Sequence, residues 1–266
     1  MLDRDAALRQ MRPYVARARA FTGWSFADVD VRPLAPPPPW DYELRARELA
    51  LTAKAILDIG TGGGEVLARI IKGLSATVIA TEGWAPNVPV ARRRLTPLGA
   101  AVVHTAGLDL PFGDATFDLV LDRHEALSPG EVARTLAPGG RILTQQVGSD
   151  DWPELAEFFP ERADFGDHFS AYGRGFAAAG LEITDTRRHY RRVAFATLGD
   201  LVFMLLVSPW LLPDLDPERD IGRLLALEAC RRAPEGIVLT ESRYLIEAHK
   251  PSDATHDGPP AGGRGS

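Results

Sequence analysis

The run Ala55-Ile56-Leu57-Asp58-Ile59 leads straight into Gly60-Thr61-Gly62-Gly63-Gly64-Glu65, and a helical pattern begins at Glu65. Glycines at a strand-to-helix turn let the backbone approach a ligand closely, and the first helical turn offers unsatisfied N–H groups. A pyrophosphate-binding loop of this kind carries a third glycine three residues after the second. Here that position is Glu65, and a carboxylate facing a diphosphate is electrostatically wrong. The loop therefore suits a ligand with an amino group better than one with phosphates. Glu82 closes the next strand-like run, 22 residues beyond Gly60. In a strand–helix–strand unit that spacing returns an acid to the glycine loop, where its carboxylate can accept two hydrogen bonds from a ribose diol.

A second polar group is Asp122-Arg123-His124-Glu125, at the end of another strand-like run. In a doubly wound sheet the crevice opens at such strand ends. Histidine titrates near neutrality, so His124 can take a proton from a hydroxyl or amine with Glu125 to orient it; alternatively, both only hydrogen-bond loop backbone. Gln145 and Gln146 end the following strand on the same edge, as amides that orient a polar acceptor or as satisfied strand ends. Trp40 and Tyr42 follow a proline run and either cover a ligand or pack in the core. Phe203 and Trp210, with Phe195, Met204 and Leu211, form an apolar acceptor pocket or the underside of a helical layer. Arg187, Arg188, Arg191 and Arg192, with His189, read as a solvated strand face or as a contact for an RNA backbone or an anionic substrate, and Arg92-Arg93-Arg94 as a solvated helix face.

The elements that position these groups alternate. Strand-like runs at 55–59, 77–81, 101–104, 119–122 and 141–147 are separated by helical patterns at 65–72, 88–95 and 130–136, which predicts right-handed crossovers and a parallel, doubly wound sheet. Before them lie an amphipathic helix over 3–20, the proline run Pro36-Pro37-Pro38-Pro39 and a helix over 42–53. After residue 150 a helix is expected over 168–179, then two long alternating strands, 181–195 and 237–248, as an antiparallel pair. Helices at 197–207 and 217–232 fill the interval between them as a lid, at about 197–235. The division expected is a helical cap and stiff proline-rich linker over 1–40, one domain over 41–250, and a disordered tail over 251–266.

The chain has 266 residues, 45% hydrophobic, with 30 basic side chains against 36 acidic and a net charge of −6. That composition excludes collagenous, disulfide-framework and wholly disordered chains, and it argues against a protein whose affinity comes from neutralising phosphates. Cys230, the single cysteine, has no partner for an intrachain disulfide and no nearby zinc-ligand spacing. The N-terminus lacks the basic-then-apolar order of a secretory signal, and the most apolar run, Leu201 to Leu212, is about half a bilayer span. A cytoplasmic protein is expected.

Taken in order, these motifs resemble the class I S-adenosylmethionine-dependent methyltransferases. The resemblance runs from Ile56 through Glu65, to Glu82, to Leu110-Pro111-Phe112 ahead of Phe117-Asp118-Leu119-Val120, and to Leu136-Ala137-Pro138-Gly139-Gly140 ahead of a strand. It implies an α/β, Rossmann-like seven-stranded sheet, mostly parallel, with S-adenosyl-L-methionine as cofactor and no metal. Asp58, Gly60, Thr61 and Gly62 would line the methionine end and Glu82 would hold the ribose, with Asn87 and Asp122 alongside. The acid that often binds adenine falls on Ala106 here, so the backbone of Ala106, Gly107 and Leu108 or the side chain of Asp109 would take that part. His124 and Glu125 would be catalytic, and Tyr42, Gln146, Phe203 and Trp210 would meet the acceptor. The activity implied is methyl transfer to oxygen, nitrogen or carbon of a small molecule. An RNA methyltransferase would share the core, but the acidic balance and the lack of an RNA-binding appendage oppose it. A dinucleotide oxidoreductase is opposed by Glu65, and a non-catalytic adenosyl-ligand-binding protein is favoured only by Ala106.

Overall fold

A strand that is apolar on both faces must be covered on both sides, and Ala55–Ile59 is buried along almost its whole length. In the computed structural model, which describes residues 4–105, 108–164 and 166–252, it lies in the middle of a nine-stranded sheet. The elements are α1 (Arg4–Arg19), β1 (Val31–Pro33), α2 (Tyr42–Ala50), β2 (Ala55–Ile59), α3 (Glu65–Ile71), β3 (Thr77–Glu82), α4 (Val88–Leu95), β4 (Ala101–His104) and β5 (Phe117–Arg123). They continue with α5 (Pro129–Thr135), β6 (Leu136–Val147), α6 (His168–Ala178), β7 (Glu182–Phe195), α7 (Leu198–Val207), α8 (Ile221–Arg231), β8 (Arg232–Ala233) and β9 (Gly236–His249).

The sheet order is β1-β7-β9-β6-β5-β2-β3-β4, with β8 beside β9. Strands β2 to β6 pair in parallel, while β9 runs antiparallel to both β6 and β7. The seven expected strands form this core, and two short ones extend it: β1 sets Val31 opposite Phe195, and β8 sets Arg232 opposite Ile237. The chain leaves β2 towards β3 and β4 and returns on the other side at β5, so the ends of β2 and β5 border the crevice where strand order reverses.

Of four apolar clusters among the described residues, three fill the layers. Ile56, Leu119, Leu121 and Leu143 pack with α2, α3 and α4 on one face. Leu57, Val120, Ile142, Tyr244 and Ile246 pack with α5 and α6 on the other. The third contains Ala7 and Met11 of α1, Leu155 and Phe159, Val193 and Phe195 of β7, and Leu201, Leu205, Leu224 and Leu227 of α7 and α8. This third core ties the flanking segments to the sheet. In the N-terminal segment α1 is seated on α7 and β1 joins the sheet edge. The helical interval between β7 and β9 supplies much of the third core. The second lid helix also starts later than expected, at Ile221, after a turn in which Asp220 accepts the Asp216 N–H at 3.0 Å. The tail expected to be disordered lies, from residue 253, outside the described residues. Among the described residues no helix is long and apolar enough to cross a membrane.

At Gly199 a Cβ would run into the Tyr14 ring of α1, so the α1–α7 approach depends on the missing side chain. Gly→Ala inside a helix normally adds about 1 kcal/mol of stability. Gly199→Ala should instead cost about 1–3 kcal/mol by overpacking, read as a lower urea midpoint at unchanged m-value. A stabilised variant would show that α1 does not sit there.

Candidate functional site

One cavity of about 670 Å³ opens at the strand-order reversal, between the glycine loop, the end of β5, the loop after α1 and the segment after α7. Gly60, Gly62 and Gly64 all have left-handed backbones, with φ of 65°, 61° and 78°, which only glycine adopts without strain. Space demands glycine as well: a Cβ on Gly60 would collide with the Glu125 side chain, and one on Gly64 would meet Leu95 at 2.8 Å. The loop is tied to β3, where Thr61 N–H donates to the Thr81 carbonyl at 2.8 Å and Gly60 N–H to Thr81 Oγ1 at 3.2 Å.

Four carboxyl groups gather here. Asp58 and Glu82 end β2 and β3, Asp122 lies near the end of β5, and Glu125 follows it. Burial pushes Asp58 up to about 7, and it raises Glu82, Asp122 and Glu125 as well. Glu82 accepts the Trp84 N–H at 2.8 Å, which aims it at the cavity. Asp122 is fully buried behind the wall, where its Oδ1 accepts Thr144 Oγ1–H at 2.6 Å and the Gln146 amide, and its Oδ2 has no hydrogen-bond partner among the described residues. One cation answers these acids. Arg123 lines the cavity beside Tyr42, makes no hydrogen bond or ion pair among the described residues, and has its basicity lowered by burial.

His124 adopts a left-handed backbone, φ 67°, held by its N–H donating to the Gln145 carbonyl at 2.8 Å. Trp40 Nε1–H, which can only donate, gives its proton to Gln145 Oε1 at 2.7 Å. The Gln145 amide nitrogen must then face His124 Nε2, 3.1 Å away, and donate to it. His124 is therefore neutral, with Nε2 occupied as an acceptor and Nδ1–H left as a donor; burial and the Arg123 charge push its pKa well below the usual histidine range. This corrects the expectation of His124 as proton acceptor, since its basic lone pair is already engaged. Glu125 does not orient the imidazole: its Oε1 accepts the Ala126 N–H at 3.1 Å, and its side chain covers Gly60.

Of the other sequence candidates, Tyr42, Gly60, Thr61, Gly62, Asn87, Gln146 and Trp210 line the cavity. Asn87 Oδ1 accepts the Gly23 N–H at 2.6 Å, fastening the loop after α1 over the site. Gln146 is spent on structure, donating to Asp122, to the Glu125 carbonyl at 2.7 Å and to Thr144 at 3.0 Å. Phe203 is not on the wall: it is buried against Phe21, with the Arg17 guanidinium 4.2 Å from its ring centre. Leu108 and Asp109 are exposed and stand away from the cavity, while Ala106 and Gly107 lie outside the described residues. Glu65 is paired with Arg94 at 2.7 Å, so its charge is answered locally and does not by itself repel a diphosphate. Arg94 also donates to the Gly63 carbonyl and is no free surface charge.

Sequence reasoning missed Phe21, Trp24, Trp84, Arg123 as a site residue, and Tyr172. Only Trp84, two residues after Glu82, carried a local signal. Trp24 lies against Gly62, where a Cβ would come within 3.1 Å of the Trp24 Cβ.

Residues 56–145 match the methyltransferase-domain family. The chain is 38% identical over 117 residues to a demethylmenaquinone methyltransferase of Thermus thermophilus, covering 38% of this chain and 52% of that one. It is 31% identical over 156 residues to the O-methyltransferase cnsE of Penicillium expansum, covering 51% and 56%. The chain spans about half the length of these curated relatives. A solved structure of a protein of unknown function from Deinococcus radiodurans R1 matches with a TM-score of 0.58 at 20% identity, over 84% of this chain and 92% of that one, a likeness in fold alone. The family match covers β2 through most of β6, the stretch that carries the glycine loop, Glu82 and the end of β5. Over this stretch the chain is similar to a methyltransferase domain.

Proposed function

We propose that the protein transfers a methyl group from S-adenosylmethionine to a small molecule. The observation that carries this reading is the charge pattern of the cavity: ionisable carboxyls at Asp58, Glu82 and Glu125 with one unpaired guanidinium at Arg123. That pattern complements a ligand carrying both a carboxylate and positive charge, and it is a poor host for a diphosphate, whose charge would meet the acids. Two relatives named as methyltransferases, one for demethylmenaquinone and one for O-methylation, support methyl transfer to a small molecule.

In this reading Asp58 and the Gly60–Gly62 backbone take the amino group, and Arg123 takes the carboxylate. Glu82 accepts from the ribose diol, and Trp84 offers a ring face to adenine. Asn87 keeps the loop after α1 closed over them, and Asp122 braces the end of β5 from behind. When bound, the cofactor supplies a methyl group on a sulfonium, ready for in-line displacement. The chain has then to align the acceptor, exclude water and take up a proton where the acceptor carries one. Glu125 is the group for that proton, because burial raises its affinity for one and it lies on the cavity side of Gly60.

S-adenosylhomocysteine, the demethylated product, should bind in calorimetry while NAD does not. Glu82→Ala should weaken binding by about 1.5–3 kcal/mol, the range for hydrogen bonds to a charged group. Asp58, at about 7, must be ionised to hold an ammonium, so affinity should rise with pH and level off above neutrality. Binding should be about tenfold weaker at pH 6 than at pH 8, and Asp58→Asn should flatten that dependence. Tight NAD binding, or a flat profile in the unaltered protein, would count against this arrangement.

Once an acceptor is in hand, Glu125→Gln should depress turnover by about a hundredfold or more if the acceptor must lose a proton. His124→Ala should cost less than about tenfold, because its acceptor nitrogen is already used. The reverse order in single-turnover rates would return the proton to His124.

A further inference from the structure

We infer that the half of the cavity away from the glycine loop is a subsite for an uncharged, ring-sized apolar compound bearing a hydroxyl, the methyl acceptor if the methyltransferase reading holds. Its wall comes from two distant segments: Ala18 and Phe21 near the end of α1, and Leu206, Val207, Trp210 and Leu211 at the end of α7. None of these six can ionise. Trp210 remains 43% exposed although it stands on a cavity wall, and its ring lies 6.1 Å from that of Trp24 with 28° between the planes. Large aromatic surface left open in a concave, otherwise apolar wall marks a ligand contact.

Two donors also line the cavity. The Tyr172 oxygen already accepts the Leu127 N–H at 3.3 Å, which leaves its own O–H to donate. His124 has Nδ1–H to offer, since Nε2 is held by Gln145. Both residues line the cavity. A ligand oxygen with lone pairs answers them. Charge narrows the class further. None of the six wall side chains carries a charge, and His124 is neutral, so an anionic ligand gains no counter-ion from this wall.

The test uses the full chain loaded with S-adenosylhomocysteine, titrated calorimetrically with 2-naphthol and with 2-naphthoate, an anion of nearly the same shape. Saturable one-to-one binding of 2-naphthol is expected, with 2-naphthoate at least about tenfold weaker, or 1.4 kcal/mol. Trp210→Ala should weaken 2-naphthol at least about fivefold, Trp210→Phe should restore most of it, and any change in S-adenosylhomocysteine affinity should be smaller than the change for 2-naphthol. Trp210 is partly exposed, so its truncation leaves the core intact, which the circular dichroism melt checks. Absence of 2-naphthol binding, equal or tighter binding of 2-naphthoate, or indifference to Trp210→Ala would overturn the inference. If the unloaded protein binds 2-naphthol through Trp210 but never binds S-adenosylhomocysteine, the subsite stands and the methyltransferase reading falls.

Discussion

The architecture hangs on the pairing of β7 with β9. The two strands run antiparallel from Glu182 opposite His249 to Phe195 opposite Ile237, each 14 residues long, where about 5–6 is usual. That length lets one ladder serve two cores. At one end Val193, Phe195, Ile237 and Leu239 enter the core shared with α1, α7 and α8. At the other, Tyr244, Ile246 and Ala248 enter the core beneath α5 and α6. A hydrogen-bonded ladder is stiff along its strands, so the helical layer is held at a set height over the glycine loop. The same strand reaches the site floor by another route. Buried Glu247 on β9 accepts both Arg45 of α2, at 2.8 Å, and Arg141 of β6, at 3.1 Å, and α2 carries Tyr42.

Against that frame the site itself is electrostatically expensive. Asp58, Glu82, Asp122 and Glu125 all have pKa values raised by burial, so the folded state holds protons that the unfolded chain has released. Stability contributed at this site is therefore greatest below the ordinary carboxylate range and is lost as pH rises from there, through about 7 for Asp58. A ligand with positive charge reverses that penalty. His124 adds a left-handed backbone, a strain that surrounding structure must over-determine, and the hydrogen bonds from His124 N–H to Gln145 and from Gln145 to the imidazole do so.

The fold was legible because its signals are local and periodic. Strand α-carbon runs, the Gly60–Gly64 turn and the acid at Glu82 lie within one strand–helix–strand unit, and elements such as α4 (Val88–Leu95) and β4 (Ala101–His104) fall where their patterns place them. The half-site at the ends of β2 and β3 was legible for the same reason. What was not legible depends on which distant segments meet. Trp24 reaches Gly62 only because α1 docks on α7, and Phe203 is turned away from the cavity by Arg17 and Phe21, a face choice that helical spacing alone leaves open. Glu65 misled for a related reason: its partner, Arg94, comes from α4, 29 residues on. The role of His124 depended on a proton count that begins at Trp40, 105 residues before Gln145.

These distant meetings also bear on how the two halves of the cavity relate. A division in which the glycine loop serves the cofactor and the segment after β7 serves only the acceptor requires the two walls to be independent. They are not. Trp24 packs on Gly62 at its base and faces Trp210 with its ring, and Gly23 beside it is held by Asn87, on the glycine-loop side of the cavity. Both segments of the apolar wall leave the sheet at a single corner, where Ala196 N–H donates to the Asp30 carbonyl at 2.9 Å and Asp30 N–H to Asp200 Oδ1 at 3.3 Å. A displacement of the apolar wall therefore bears on the loop that covers Gly62, and a ligand that orders Gly62 and Asn87 bears on the place of Trp24. The coupling is carried by packed side chains and by the hydrogen bonds that the Ala196 and Asp30 backbone N–H groups donate, which is the physical form a linkage between two half-sites takes.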